Sequence, residues 1–209
     1  MADVNKKQKG QYHHGDLRRA LMQAAVDLVA ESGVEGFTLR EAAKRAGVSA
    51  AAPYRHFSDR ADLLAAVATE GFNRLLPALQ AAIDRTEDDS MAAIAGLGLA
   101  FVEFGVSNPS HFKLMYGPHL PDRAAHPELG DLDLEGFRML SQAIARAQEE
   151  GRLTTGEPRQ MALVSFALVY GAVSSYLDGE MTRLGFSTRE AQAMLEAGGF
   201  YLLRGLARS

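Results

Sequence analysis

The stretch Gly36-Phe-Thr-Leu-Arg-Glu-Ala-Ala-Lys-Arg-Ala-Gly-Val-Ser-Ala-Ala-Ala-Pro-Tyr-Arg-His-Phe57 decides how the front of this chain folds. Thr38 followed by Glu41 is a capping-box pattern, so a helix opens there. Leu39, Ala42, Ala43 and Ala46 recur at the spacing of one buried helical face. Gly47 supplies a turn that needs a positive φ. A further helix is expected from Ser49 or Ala50 to His56. Ala43, Gly47, Val48 and Phe57 lock the pair at a steep angle, leaving Ser49, Tyr54, Arg55 and His56 facing outward. This is the layout of a helix-turn-helix, whose second helix enters the major groove of DNA.

Working outward, nearly every other segment also has helical periodicity, and none alternates with period two. Leu17, Leu21, Ala24, Ala25, Leu28 and Val29 mark one face of a first helix that ends at Ser32-Gly33. Asp59 can cap a long fourth helix through Leu63, Leu64, Val67, Phe72 and Leu75, which Pro77 is expected to kink or shorten. Apolar helical patterns follow at 91–107, 109–116, 129–150, 158–178 and 188–206, with Ser187 and Glu190 repeating the capping box before the last. The proline-rich stretch from Gly117 to Pro127 reads as irregular. The expectation is an all-α chain: a basic flexible arm at 1–14, a three-helix head at 15–60, and a helical ligand-binding and dimerisation domain at 61–209.

Charge separates the two ends. Residues 1–60 hold 10 basic and 7 acidic residues, whereas 61–209 hold 12 and 19. A basic front on an acidic body suits an anionic partner at one end. There is no cysteine, which excludes disulfides and thiolate metal sites. Residues 1–11 lack the apolar core of a secretory signal. The uncharged run between Arg159 and Asp178 is interrupted by Gln160, Ser165, Ser174 and Ser175 and reads as a buried helix rather than a membrane span, so a cytoplasmic location is expected. No nucleophile elbow, phosphate loop, dinucleotide fingerprint or zinc-protease motif is present, so an enzyme is not expected. No cofactor is implied either. His111, His119 and His126 could gather around a metal, but loop histidines without ligand spacing are usually solvated, and no metal site is assigned.

The flanks make the assignment more specific. Leu17-Arg-Arg-Ala-Leu, Ser32-Gly-Val-Glu-Gly-Phe-Thr-Leu-Arg-Glu-Ala-Ala, Ala46-Gly-Val-Ser and Tyr54-Arg-His-Phe-Ser-Asp-Arg-Ala-Asp-Leu-Leu closely resemble the tetracycline-repressor family of bacterial transcription regulators. The resemblance runs continuously through 12–70. Tyr12-His-His-Gly-Asp-Leu-Arg18 and Ala51-Ala-Pro-Tyr-Arg-His-Phe57 look like one subset of it. By position, the resemblance implies that Thr38 and Tyr54 hold phosphates and that Arg40 reaches a guanine edge. It also implies that Ser49, Ala50, Ala51 and Ala52 face the bases and that His56 and Arg60 touch phosphate. With Leu39 and Arg55 these residues make up the candidate DNA-contacting set. Three alanines can only pack against thymine methyls, so direct readout is expected to be modest and to lean on Arg40, DNA shape and half-site spacing. The arm, with Lys6, Lys7, Lys9, Tyr12, His13 and His14, is either a solvated tail or a phosphate and minor-groove contact.

One head offers little interface, so useful affinity needs two heads on one body. The resemblance implies a homodimer through the last two helices, bound to a palindromic operator whose half-sites lie ~34–36 Å apart. Residues 161–177, with Leu163, Val164, Phe166, Leu168 and Tyr170, and residues 194–206, with Met194, Leu195 and Phe200, are apolar on more than one face, as such pairing requires.

The body is rich in aromatics and methionines. Such residues at helical spacing are usually core, but as a group they make an adaptable apolar cavity plausible. The candidates are Phe101, Phe104, His111, Phe112, Met115, Tyr116, Phe137, Phe166 and Tyr170. Asn108-Pro-Ser-His-Phe-Lys-Leu-Met-Tyr-Gly-Pro118 resembles an effector-binding domain of one branch of the family. The expected protein is a ligand-responsive regulator, a repressor released from its operator by a small hydrophobic effector. An activator of the same architecture and a helical protein-interaction module stay open as alternatives.

Overall fold

The computed structural model describes residues 14–86, 88–117, 122–195 and 197. All regular elements among them are helices: α1 (His14–Ser32), α2 (Leu39–Arg45), a 3-10 turn (Pro53–Arg55), α3 (Arg60–Asp84), α4 (Ser90–Ser107), α5 (Pro109–Tyr116), α6 (Pro127–Glu149), α7 (Pro158–Leu177) and α8 (Glu180–Arg183). A ninth helix, α9, begins at 188. The short α8 was not expected from the sequence.

Local chemistry sets these boundaries. The Thr38 hydroxyl accepts from the Glu41 N–H at 3.2 Å while the Glu41 carboxylate accepts from the Thr38 N–H at 2.7 Å, completing the capping box of α2. Ser187 and Glu190 do the same for α9. Asp59, Asp89 and Glu157 cap α3, α4 and α7 through their carboxylates, and Pro109, Pro127 and Pro158 occupy first-turn positions where a missing N–H costs nothing.

Two local expectations are corrected. The segment after Gly47 is a run of tight turns closing in the 3-10 element, not an α-helix from Ser49 to His56. The Ala52 N–H donates to the Ser49 carbonyl and the His56 N–H to the Pro53 carbonyl, both three residues back. Pro53 has no N–H for the Ser49 carbonyl, and its ring crowds the carbonyl four residues earlier, so the i→i−4 ladder cannot start at Ser49. Pro77, by contrast, neither ends nor shortens its helix: α3 runs through it for 25 residues. Packing of α3 against α1, α4, α5 and α6 holds it in place.

One hydrophobic core joins head and body. Leu21, Ala25 and Val29 of α1 meet Leu39 and Ala42 of α2, Phe57, and Leu63 and Val67 of α3, and the same cluster continues through Phe72 and Leu75 into α4, α5 and α6. α3 is thus shared between the two ends of the molecule. α7 packs on α4 and α6 from the far side.

Candidate nucleic-acid interface and interior cavity

The head is held rigid from beneath. Ala43 and Phe57 are buried, Gly47 adopts φ +71°, and the Val48 N–H donates to the Ala43 carbonyl at 3.0 Å, closing the turn after α2. A side chain at Gly47 would meet no neighbour; its conformation, not crowding, demands glycine. Arg18 lies over the Phe57 ring, its guanidinium carbon 5.3 Å from the centroid.

Most of the candidate contact set is exposed. Thr38, Arg40, Ser49, Ala50, Ala51, Tyr54 and Arg55 are exposed, and Ala52 and His56 are partly so. Tyr54 is 55% exposed, which is more than packing alone asks of an aromatic ring. Three placements differ from a simple contact surface. The Leu39 side chain is buried in the core, leaving only its backbone at the start of α2. The Thr38 hydroxyl is engaged by Glu41. The Arg60 guanidinium lies 5.0 Å from the Phe37 centroid, with Nε and Nη2 buried and lacking a hydrogen-bond partner among the described residues. Lys6, Lys7, Lys9, Tyr12 and His13 lie outside the described residues.

In the body, a cavity of about 340 Å³ opens between α3, α4, α6 and α7. Its wall includes Phe101, Tyr116, Phe137 and Phe166 from the candidate set. The other five candidates stand behind that wall. Phe112 packs on Phe101 and Tyr116, with centroids 5.4 and 5.3 Å away, and Tyr170 stacks on Phe166 at 5.8 Å. The Tyr170 hydroxyl donates to the Tyr116 carbonyl at 3.0 Å, so it is spent on fastening α7 to α5. Phe104 is core. His111 and Met115 turn toward α3, where a Cβ added at Gly71 would sit 2.4 Å from the Met115 sulfur.

The reading of the sequence missed Leu79, Gly98, Asp133, Leu134 and Leu163 on the wall. One signal was available: Leu129, Asp133 and Phe137 repeat at intervals of four, so Asp133 interrupts an otherwise apolar helical face. Burial raises the Asp133 carboxyl above its ordinary range, partly offset by Arg123, whose Nη2 lies 2.8 Å from Oδ2. Burial, and then the Asp133 charge, push the Tyr116 phenol well up, so it stays protonated. His119 lies outside the described residues, among which no group of three or more acidic or histidine side chains is placed to hold a metal.

Comparison with known proteins agrees with this geometry. The model for bacterial regulatory proteins of the tetR family matches residues 21–67, and that for a tetracyclin repressor-like C-terminal domain matches 94–198. The chain belongs to the tetR family. Its matched relatives are regulators rather than enzymes. An HTH-type transcriptional regulator of Mycobacterium tuberculosis (Rv1816) is 29% identical over 99 residues, 47% of this chain and 42% of that protein, so the match spans less than half of either. A Rhodococcus sp. RHA1 protein of unknown function is 30% identical, with 96% of this chain and all of that one covered and a TM-score of 0.74. The Bacillus subtilis regulator FadR, solved with stearoyl-CoA, shares the fold at 14% identity and a TM-score of 0.70, covering 90% of this chain and 98% of its own.

Two tetR-family helices here, α4 and α7, are long and apolar enough to cross a membrane by composition alone. Half of α4 is buried inside the protein. Only 17% of α7 is, and Leu163, Val164 and Leu168 are each more than half exposed along it.

Proposed function

We propose that this chain is a ligand-responsive transcription regulator that binds a palindromic DNA operator as a homodimer and leaves it when a small apolar effector enters the interior cavity. The observation that carries the reading is the head: α2 and the 3-10 turn, joined at Gly47 and seated on the buried Ala43 and Phe57, with Arg40, Ser49, Tyr54 and Arg55 exposed. Tyr54 flanks the groove and holds phosphate, while Arg40 supplies the side chain long enough to read a base edge. Ala50, Ala51 and Ala52 offer only methyl contacts, so shape and half-site spacing carry the rest.

The apolar stripe of α7 supports dimerisation. Leu163, Val164 and Leu168 would otherwise face water side by side, and together with α9 they form the surface expected to pair two copies. Met194 on α9 is 47% exposed beside the buried Leu195. Phe200, Leu202, Leu203 and Leu206 lie outside the described residues. Such a regulator works where the chromosome is, in the cytoplasm. Repression is the simplest outcome of operator occupancy; activation would use the same head on a differently placed site.

Selection of bound sequences from random duplexes by the purified protein tests the reading. A two-fold motif with half-sites about one helical turn apart is expected. Binding should fall steeply with salt, because phosphate contacts dominate. Arg40→Ala should relax preference at one base pair at a cost of about 1–3 kcal/mol, whereas Tyr54→Ala should weaken all sequences alike. Absence of any duplex preference at low ionic strength would sink it.

A further inference from the structure

We propose that the interior cavity selects a positively charged ligand, with an apolar body against the aromatic wall and a cationic nitrogen against the Asp133 carboxylate. The inference rests on reading this cavity as the effector site and names the chemistry that the site prefers.

Among the described residues, Asp133 is the only charged side chain on the wall. The same wall carries Phe101, Phe137 and Phe166, and aromatic ring faces attract cations. The other polar groups there, those of Tyr116 and Ser165, are neutral hydroxyls. An anionic ligand would therefore meet a like charge on an apolar wall that carries no cation.

Arg123 pairs with Asp133 from outside the cavity wall, its Nη2 approaching one carboxylate oxygen, Oδ2. The cost of burying the carboxylate outweighs the attraction of Arg123, since the net displacement of its pKa is upward. A second positive charge arriving from the cavity side would relieve that imbalance.

Isothermal titration of the full chain with three ten-carbon probes of matched length tests the proposal. Decyltrimethylammonium, decanol and decanoate differ in charge at one end, and each is used below its aggregation threshold. Wild-type protein should bind the ammonium about tenfold or more tighter than decanol, with decanoate weakest. Asp133→Asn should keep decanol binding and erase the advantage of the ammonium. Gly98→Leu should lose all three, because Gly98 lines the cavity and a Cβ added there meets nothing within 4 Å, so the larger side chain fills the ligand space. Lowering the pH should shrink the ammonium preference as Asp133 takes up a proton. Arg123 and Tyr116 are the charged and titratable groups beside it, and burial pushes the Tyr116 phenol up so that it keeps its proton.

Decanoate binding as tightly as the ammonium in wild type would overturn the proposal, whatever the variants do. So would an ammonium preference that survives Asp133→Asn, or failure of all three probes to bind. The effector reading fails separately: if the ammonium binds at Asp133 yet the protein holds its selected operator unchanged, the charge preference stands and the cavity is not the regulatory site.

Discussion

The Ser110 hydroxyl donates to the Val26 carbonyl at 3.0 Å, tying the start of α5 to the middle of α1. Six residues along the same helix, Tyr116 stands on the cavity wall. A single eight-residue rod therefore touches the head at one end and the ligand space at the other. Ser110→Ala should cost about 0.5–1.5 kcal/mol of stability, the net worth of one internal hydrogen bond. It should also weaken the effect of a bound ligand on operator affinity more than it weakens ligand binding. Thermal melts and paired titrations separate the two, and unchanged coupling would show that α5 is not the link.

At Gly71, α3 and α5 approach closely. A Cβ there would lie 2.4 Å from the Met115 sulfur and 3.3 Å from the His111 Cβ. Met115 is fully buried, so it has no open space to retreat into. Gly71→Ala should therefore destabilise the protein by about 1–3 kcal/mol despite the better helix propensity of alanine. A stabilised variant in denaturant titration would mean that the helices separate more easily than their packing suggests.

His111 gives the fold a pH dependence. Burial lowers its pKa from 6.5, and the Arg74 charge lowers it further; the Glu70 carboxylate, 4.0 Å from Nε2, pulls the other way. Glu70 is itself hydrogen-bonded to Arg74. Because the folded pKa lies below the unfolded one, the unfolded chain binds more protons between the two values. Stability should thus be full above the unfolded value and be lost as the pH falls from there through the folded pKa. Melting temperatures across this range should fall for the wild type and flatten for His111→Gln.

The exposed stripe on α7 predicts a charge-sensitive assembly. Leu168→Glu places a carboxylate on a side chain that is 56% exposed in one copy, so the monomer should fold with little penalty. If α7 joins two copies, that charge sits in an apolar interface and should split the dimer, which light scattering would register. Operator affinity should then drop toward that of a single head. A variant that stays dimeric would place the interface elsewhere.

Much of this was legible in the order of residues, because its causes are local. Capping boxes at Thr38 and Ser187, the positive-φ glycine at 47 and helical repeats of leucine and alanine depend on neighbours within four residues. A chain with those signals forms those helices almost wherever it folds. Arg40 was singled out by the family resemblance and Tyr54 as an outward residue of the turn-helix pair, and both side chains are exposed. Pro53 was the local exception, since its missing N–H turned an expected α-helix into a 3-10 turn.

What three-dimensional packing alone decided is which apolar residues enclose space and which fill it. Phe101 and Phe112 carry the same ring and nearly the same burial, yet one lines the cavity and the other stands behind it. That choice depends on how α4, α5, α6 and α7 cross, and so on contacts between residues far apart in the chain. Asp133 became a wall group for the same reason: the sequence shows an acid on an apolar stripe, and only the packing of four helices puts a cavity in front of it.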